Sequence, residues 1–158
     1  MSAKKKILNV VPFDDLVVVG ISAPLKDYKI AWFLNKELRL ELKKMTSFRF
    51  HESLEEGHSF YYFDEGENLN VFNLIQINGE EGRLIQLPVS TDYLLIIRNP
   101  LSEEKLQQIL QNTRKIPGVI AAYKLDIERL KQIDPLLEQI ELHEFNLLRE
   151  QSPKPKKT

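Results

Sequence analysis

Cysteine is absent from the 158 residues, which removes disulfides, thiol nucleophiles, iron–sulfur ligation and thiolate zinc sites together. A chain without thiols is at home in a reducing cytoplasm. Excess charge is missing too: 22 Lys and Arg stand against 23 Asp and Glu, a formal net charge of −1. The whole-molecule field therefore gives no reason to expect nucleic acid or an anionic membrane as partner. Long apolar runs are also lacking. Leu16–Ile21 and Tyr93–Ile97 are the most apolar stretches, and both are far too short to span a bilayer. Lys4, Lys5 and Lys6 are followed by Ile7 and Leu8, but Asn9 stops any signal-peptide core from developing. These absences point to a cytoplasmic protein.

Catalytic signatures are scarce as well. Gly20, Gly57, Gly66, Gly79, Gly82 and Gly118 are the glycines, and none sits in a GxGxxG or GxxxxGK context. No GxSxG elbow, HExxH pair, EF-hand spacing or solenoid-length repeat occurs. No cofactor is expected, and no metal.

What is present is an ordinary globular composition, 42% apolar and 28% charged. A chain of this length buries enough surface to hold a core without disulfides or metal. We expect a basic N-terminal arm over 1–10, one α+β domain over 11–150, and a disordered basic tail over 151–158. The tail holds Pro153, Lys154, Pro155, Lys156 and Lys157 and no apolar residue.

The apolar rhythm changes along the chain. Leu16–Ile21 is a β-branched run that reads as a buried strand. From Tyr28 to about Lys43, Ile30, Leu34, Leu38 and Leu42 recur in four-residue steps, the signature of an amphipathic helix, with Trp32 widening its core face. The period then drops to two through Phe48–His51, Phe60–Phe63, Val71–Ile77 and Leu84–Leu87. Turn residues at Glu56-Gly57, Glu65-Gly66 and Asn78-Gly79 separate these strands. Tyr93–Arg98 is a further strand. Ser102, Glu103 and Glu104 open a second helix with Leu106, Ile109, Leu110 and Thr113 facing inward. Val119–Leu125 is the last strand. Asp134-Pro135 starts a C-terminal helix whose stripe, through Phe145, Leu147 and Leu148, is broad enough to pack across the sheet or against a second subunit. The order β-α-β-β-β-β-β-α-β-α is most simply one mainly antiparallel sheet with helices packed on one face.

Asp27-Tyr28-Lys29-Ile30-Ala31-Trp32-Phe33-Leu34-Asn35 resembles the first helix of the bacterial IPExxxVDY family, and Ile116-Pro117-Gly118-Val119 resembles the approach to that family's last strand. The likeness runs from about Leu16 to Leu130. In register, the naming motif falls on Ile85 to Tyr93. Ile85, Asp92 and Tyr93 match it, whereas Gln86, Leu87 and Thr91 replace its Pro, Glu and Val. The chain would thus be a divergent member. The resemblance implies a small α+β domain, and since the family has no established activity it brings no site residues with it.

Chemistry-bearing residues are few. His51 and His58 flank a predicted turn, with Glu52, Glu55, Glu56 and Asp64 as carboxylate neighbours, but the spacing fits no known ligand motif. Asp64, Glu65 and Glu67 form an acidic loop that reads as a solvated turn. Asp92 reads as a turn cap and Tyr93 as a half-buried strand aromatic. The strand Phe60–Phe63 places aromatics on both of its faces. Tyr61 and Phe63, together with Phe145 and Leu148 of the last helix, make a candidate protein-contact surface, although a core covered by the C-terminal helix is the first explanation of such a strand.

The leading functional expectation is a non-enzymatic interaction or scaffold domain with a protein partner or a second copy of itself. The alternative is a small-molecule-binding or metal-assisted hydrolytic protein using His51, His58 and the Asp64–Glu67 loop, to which Asp92 and Tyr93 could add. Nucleic-acid binding through the basic ends ranks last.

Overall fold

The β-branched run at the start forms strand β1 (Leu16–Ser22), and its alternating side chains divide between two separate cores. The structure, a computed structural model, describes residues 16–50, 57–67, 69–79, 82–87, 89–130 and 132–151. The basic arm over 1–10, the tail beyond Gln151, His51 with Glu52, Glu55 and Glu56, and Pro88 lie outside the described residues.

After β1 come helix α1 (Asp27–Leu38), strands β2 (Lys43–Phe48), β3 (His58–Asp64) and β4 (Val71–Gln76), and the two-residue strands β5 (Asn78–Gly79) and β6 (Gly82–Arg83). Strand β7 (Tyr93–Arg98), helix α2 (Glu103–Arg114), strand β8 (Ala121–Lys124) and helix α3 (Ile133–Gln151) complete the order. Six strands form one sheet in the order β2-β3-β4-β7-β1-β8, with every neighbouring pair antiparallel. The fold is therefore α+β on a mainly antiparallel sheet.

Helices cover both faces of the sheet rather than one. Ile30, Ala31 and Leu34 of α1 and Leu106, Ile109 and Leu110 of α2 pack on Val19, Ile21, Phe72, Leu74, Leu95 and Ile97. Ile133, Leu136, Leu137 and Ile140 of α3 pack on Val18, Phe48, Phe60, Ile75, Leu94 and Ile96. The central strands are apolar on both faces, and α3 covers the face that would otherwise stand half-exposed.

Element boundaries differ from the sequence reading where local chemistry outweighs rhythm. Helix α1 ends at Leu38 rather than near Lys43, because Arg39 turns to φ 56° and its N–H bonds back to the Asn35 carbonyl. The Asn35 side chain then accepts from the Leu42 N–H at 2.8 Å and donates to the Leu42 carbonyl at 3.2 Å. This bracket turns Leu40 and Leu42 into the core from extended chain, and it moves the following strand up to Lys43–Phe48. The segment 84–87 makes no strand. The Leu84 N–H bonds to the Ile77 carbonyl at 2.7 Å, and Ile85 and Leu87 pack against the α3-side core without a ladder. Trp32 is 58% exposed and outside the core.

Gly118 shows where glycine is required. Its φ is 95°, and a Cβ there would sit 2.9 Å from Leu25. The Pro117-Gly118 turn thus lets the chain entering β8 pass close under the β1–α1 connection, where the Ile120 N–H reaches the Ser22 carbonyl at 2.7 Å.

On each edge strand of the sheet a helix side chain takes one backbone carbonyl. On β2, His143 of α3 donates from Nε2 to the Thr46 carbonyl at 2.8 Å. On β8, Arg114 of α2 donates from Nε and Nη2 to the Ala122 carbonyl at 3.0 and 2.8 Å. Lys43 and Lys44 and an irregular register between Met45 and Phe48 further blunt the β2 edge.

Candidate functional site

Asp92 and Tyr93 stand at the start of β7 and clamp the β1–α1 connection. Asp92 Oδ2 accepts from the Ala23 N–H at 2.8 Å, and its Oδ1 accepts from Asn78 Nδ2 at 3.1 Å. The buried Tyr93 hydroxyl donates to the Leu25 carbonyl. Burial, joined by the nearby Asp27 and Asp92 carboxylates, pushes the Tyr93 phenol well above its ordinary value. A neutral donor held in this way positions a loop.

His58 opens β3 and is buried, and its Nδ1 meets the Gln76 carbonyl at 2.9 Å. Asp64 and Glu65 lie at the other end of the same strand, roughly 20 Å away at the rise of an extended chain. There Asp64 Oδ1 accepts from the Gly66 N–H at 2.9 Å. Glu65 Oε1 accepts from the Asn70 N–H at 3.1 Å and from the Lys105 ammonium at 3.2 Å. Both carboxylates shape the β3–β4 turn, and Glu65 ties it to α2. The structure brings His58 to the same end of the sheet as Asp92 and Tyr93, but facing α3, whereas Tyr93 faces α1 and α2. His51 lies outside the described residues. The described members of the predicted ligand site thus do not converge on one point, and among the described residues no group of three His, Asp or Glu side chains could hold a metal.

A groove of about 410 Å³ runs between the end of α1, α2 and the β3–β4 turn, with Glu37, Arg39, Glu65 and Lys105 on its rim and Phe72 and Ile109 beneath. Its size suits a small molecule. Glu65 and Lys105 satisfy each other across it, however, and Lys105 also donates to Asn70 Oδ1 at 2.9 Å.

A buried polar cluster lies under α3. Glu144 Oε1 accepts from Asn73 Nδ2 at 2.9 Å and from the Arg98 guanidinium, and Arg98 Nε is buried with no partner among the described residues. Nearby, burial first and then the Glu144 and Asp64 carboxylates push the Tyr62 phenol up to about 12. The cluster registers α3 on β4 and β7.

The predicted contact surface divides. Tyr61 is in the core, 5% exposed, with its hydroxyl donating to Asp27 Oδ2 at 3.2 Å, so it is no surface residue. Phe63 is partly buried against the α1–α2 side and stacks on Phe72. Leu148 is of intermediate exposure, and Phe145 is 58% exposed. Phe60 is buried under α3 with its ring edge-on to His143.

The surface aromatics that sequence reasoning missed are Tyr28 and Trp32. They are 60% and 58% exposed and lie one turn apart on α1. Lys36 sits over the Trp32 ring at 5.4 Å from its centroid, and the Phe33 ring meets Trp32 edge-on. The other exposed positions on or flanking the helix are Lys26, Lys29, Lys36 and Arg39, while its acids Asp27 and Glu37 are only partly exposed. The outer side of α1 is thus basic and aromatic. The signal in the sequence was surplus: a helix already served by Ile30, Ala31 and Leu34 had no core place left for Tyr28 and Trp32.

No protein-family model, curated protein or solved structure matches this chain. No helix among the described residues is long and apolar enough to cross a membrane.

Proposed function

We propose that this chain is a non-enzymatic cytoplasmic interaction domain, and that its docking surface is the outer side of α1 with Tyr28 and Trp32 as anchors. The observation that carries the reading is Trp32, the chain's one tryptophan, standing 58% exposed beside a 60% exposed Tyr28. Trp and Tyr are the residues that dominate binding hot spots, and a rim of Lys and Arg selects a partner by charge. The partner is accordingly a protein surface that is apolar at its centre and acidic at its rim. His143 and Arg114 each already occupy a carbonyl on an edge strand, which favours docking through helix faces over strand addition.

Divergent membership of the IPExxxVDY family is proposed alongside it. In favour stand the matching residues of α1, the Pro117-Gly118 turn, and a structural task for the retained Asp92–Tyr93 pair, which clamps the loop leading into that helix.

A photo-crosslinking amino acid placed at position 32, with the exposed Gln111 of α2 as control position, tests the docking surface in cells. Cross-links to a discrete protein from position 32 and none from 111 are expected. Equal labelling from both positions, or none from 32, would overturn the reading. So would a shift of purified Trp32 emission with anionic vesicles or single-stranded RNA in the absence of any protein cross-link.

A further inference from the structure

The exposed side of α3 is the chemical counterpart of the exposed side of α1. Leu142 and Phe145 are 51% and 58% exposed, and Glu138 and Glu141 beside them are exposed as well. On a helix, residues 138, 141, 142 and 145 share one side, as do 28, 32 and 36. The α3 side also carries Arg149 toward its end, with Glu150 next to it. One surface therefore offers Tyr28 and Trp32 within Lys29, Lys36 and Arg39, and the other offers Leu142 and Phe145 within Glu138 and Glu141. Apolar centres and opposite rim charges match. Because α1 and α3 pack on opposite faces of the sheet, a single molecule cannot bring its own two surfaces together.

We propose that the occupant of the α1 surface is a second copy of this chain, presenting its α3 surface, so that molecules associate head to tail. This rests on the interaction reading above and names its partner. Such a contact is heterologous. It leaves a free α1 surface at one end and a free α3 surface at the other, and therefore continues beyond a dimer into a ring or a filament. Two helix faces meeting over a few turns bury less than about 1,200 Å² in total, the range of weak and transient contacts. Association is therefore concentration-dependent and grows weaker with salt, since the rims are exposed.

Head-to-tail pairing has a test that no twofold contact can pass. Trp32→Glu removes one surface and Phe145→Lys the other. Both positions are exposed, so each variant is expected to keep the wild-type circular dichroism and melting temperature. In sedimentation velocity up to millimolar concentration, the wild type is expected to extend past dimer, and each variant alone to stay monomeric. An equimolar mixture of the two is expected to form a dimer and stop there, because only one intact pair of surfaces remains. As a gentler pair, Lys29→Glu with Lys36→Glu is expected to weaken association at least tenfold, and mixing with Glu138→Lys, Glu141→Lys is expected to restore it.

A Trp32→Glu variant that still dimerises, or a mixture that forms no heterodimer, would overturn the head-to-tail arrangement. A wild type that stays monomeric throughout would overturn self-association. A specific cross-link from position 32 to a different protein would then leave the interaction reading standing without this inference.

Discussion

The Asp27 carboxylate accepts from Ser59 Oγ at 2.6 Å and from the Tyr61 hydroxyl, and it faces the Lys44 ammonium at 3.1 Å. One side chain at the first turn of α1 thereby holds the helix over β2 and β3. Burial alone would push this carboxyl up. The Ser59 hydrogen bond, the bond and charge of Lys44, and the Tyr28 backbone N–H outweigh it and hold the carboxyl below its usual value. A carboxyl depressed in the fold contributes stability that is fully present above its unfolded value, about 3.9, and is lost as pH falls through the folded value. The Lys44 side chain is 56% exposed, so its part is screened and the hydrogen bonds carry most of the effect. Asp27→Asn is expected to cost about 1–2 kcal/mol near neutral pH. In urea titrations taken from neutral to acid, the gap between variant and wild type should close below about pH 4. A gap that stays constant into strong acid would show that the carboxylate's charge plays no part. At this scale the sequence was readable in part. Asp92 was legible as a hydrogen-bond acceptor, but the structure gives it the distant Ala23 N–H and the Asn78 side chain in place of a local turn. Asp27 was not, because its partners come from strands whose pairing no local pattern reveals.

At the scale of elements, α3 is the piece whose placement decides the architecture. Its apolar stripe made the helix legible and left its neighbour open: the sheet or a second subunit. The structure seats the stripe on the sheet, with Glu144 inserted between Asn73 and Arg98 as a polar register mark. Removing one partner from a buried charged cluster strands the other, whereas replacing the whole cluster with apolar groups does not. Glu144→Ala is therefore expected to cost about 2–4 kcal/mol by chemical denaturation. Replacing Glu144, Arg98 and Asn73 together with Leu, Met and Val should recover most of that loss. A single substitution within about 0.5 kcal/mol of wild type would show that the cluster does not hold α3. The four-step rhythm of α1 ran on to Leu42 because Leu40 and Leu42 are buried from extended chain, and rhythm alone does not register the Arg39 turn. The alternation after Gly82 misled for the converse reason. Ile85 and Leu87 bury apolar surface without pairing, so a two-residue period there did not mean a strand.

For the molecule as a whole, the change of apolar period from four to two and back made the α+β class readable. What it could not fix was the number of covered faces, since a strand apolar on both sides is compatible with a helix or another subunit above it. With α1 and α2 on one face and α3 on the other, both faces of the sheet are covered, a helix side chain holds one carbonyl on each edge strand, and among the described residues the exposed aromatics lie on α1 and α3. The proposed contact surface moves outward with them, from the strand aromatics Tyr61 and Phe63 to Tyr28 and Trp32 on one side, and keeps the expected Phe145 on the other. Because Trp32 is the chain's one tryptophan, its emission reports on this surface alone. In dilute protein a solvent-exposed emission maximum is expected that moves to shorter wavelength as concentration rises, with no such movement in Phe145→Lys. Emission that is already blue-shifted at the lowest concentration, or that stays fixed across the whole range, would contradict the proposed contact.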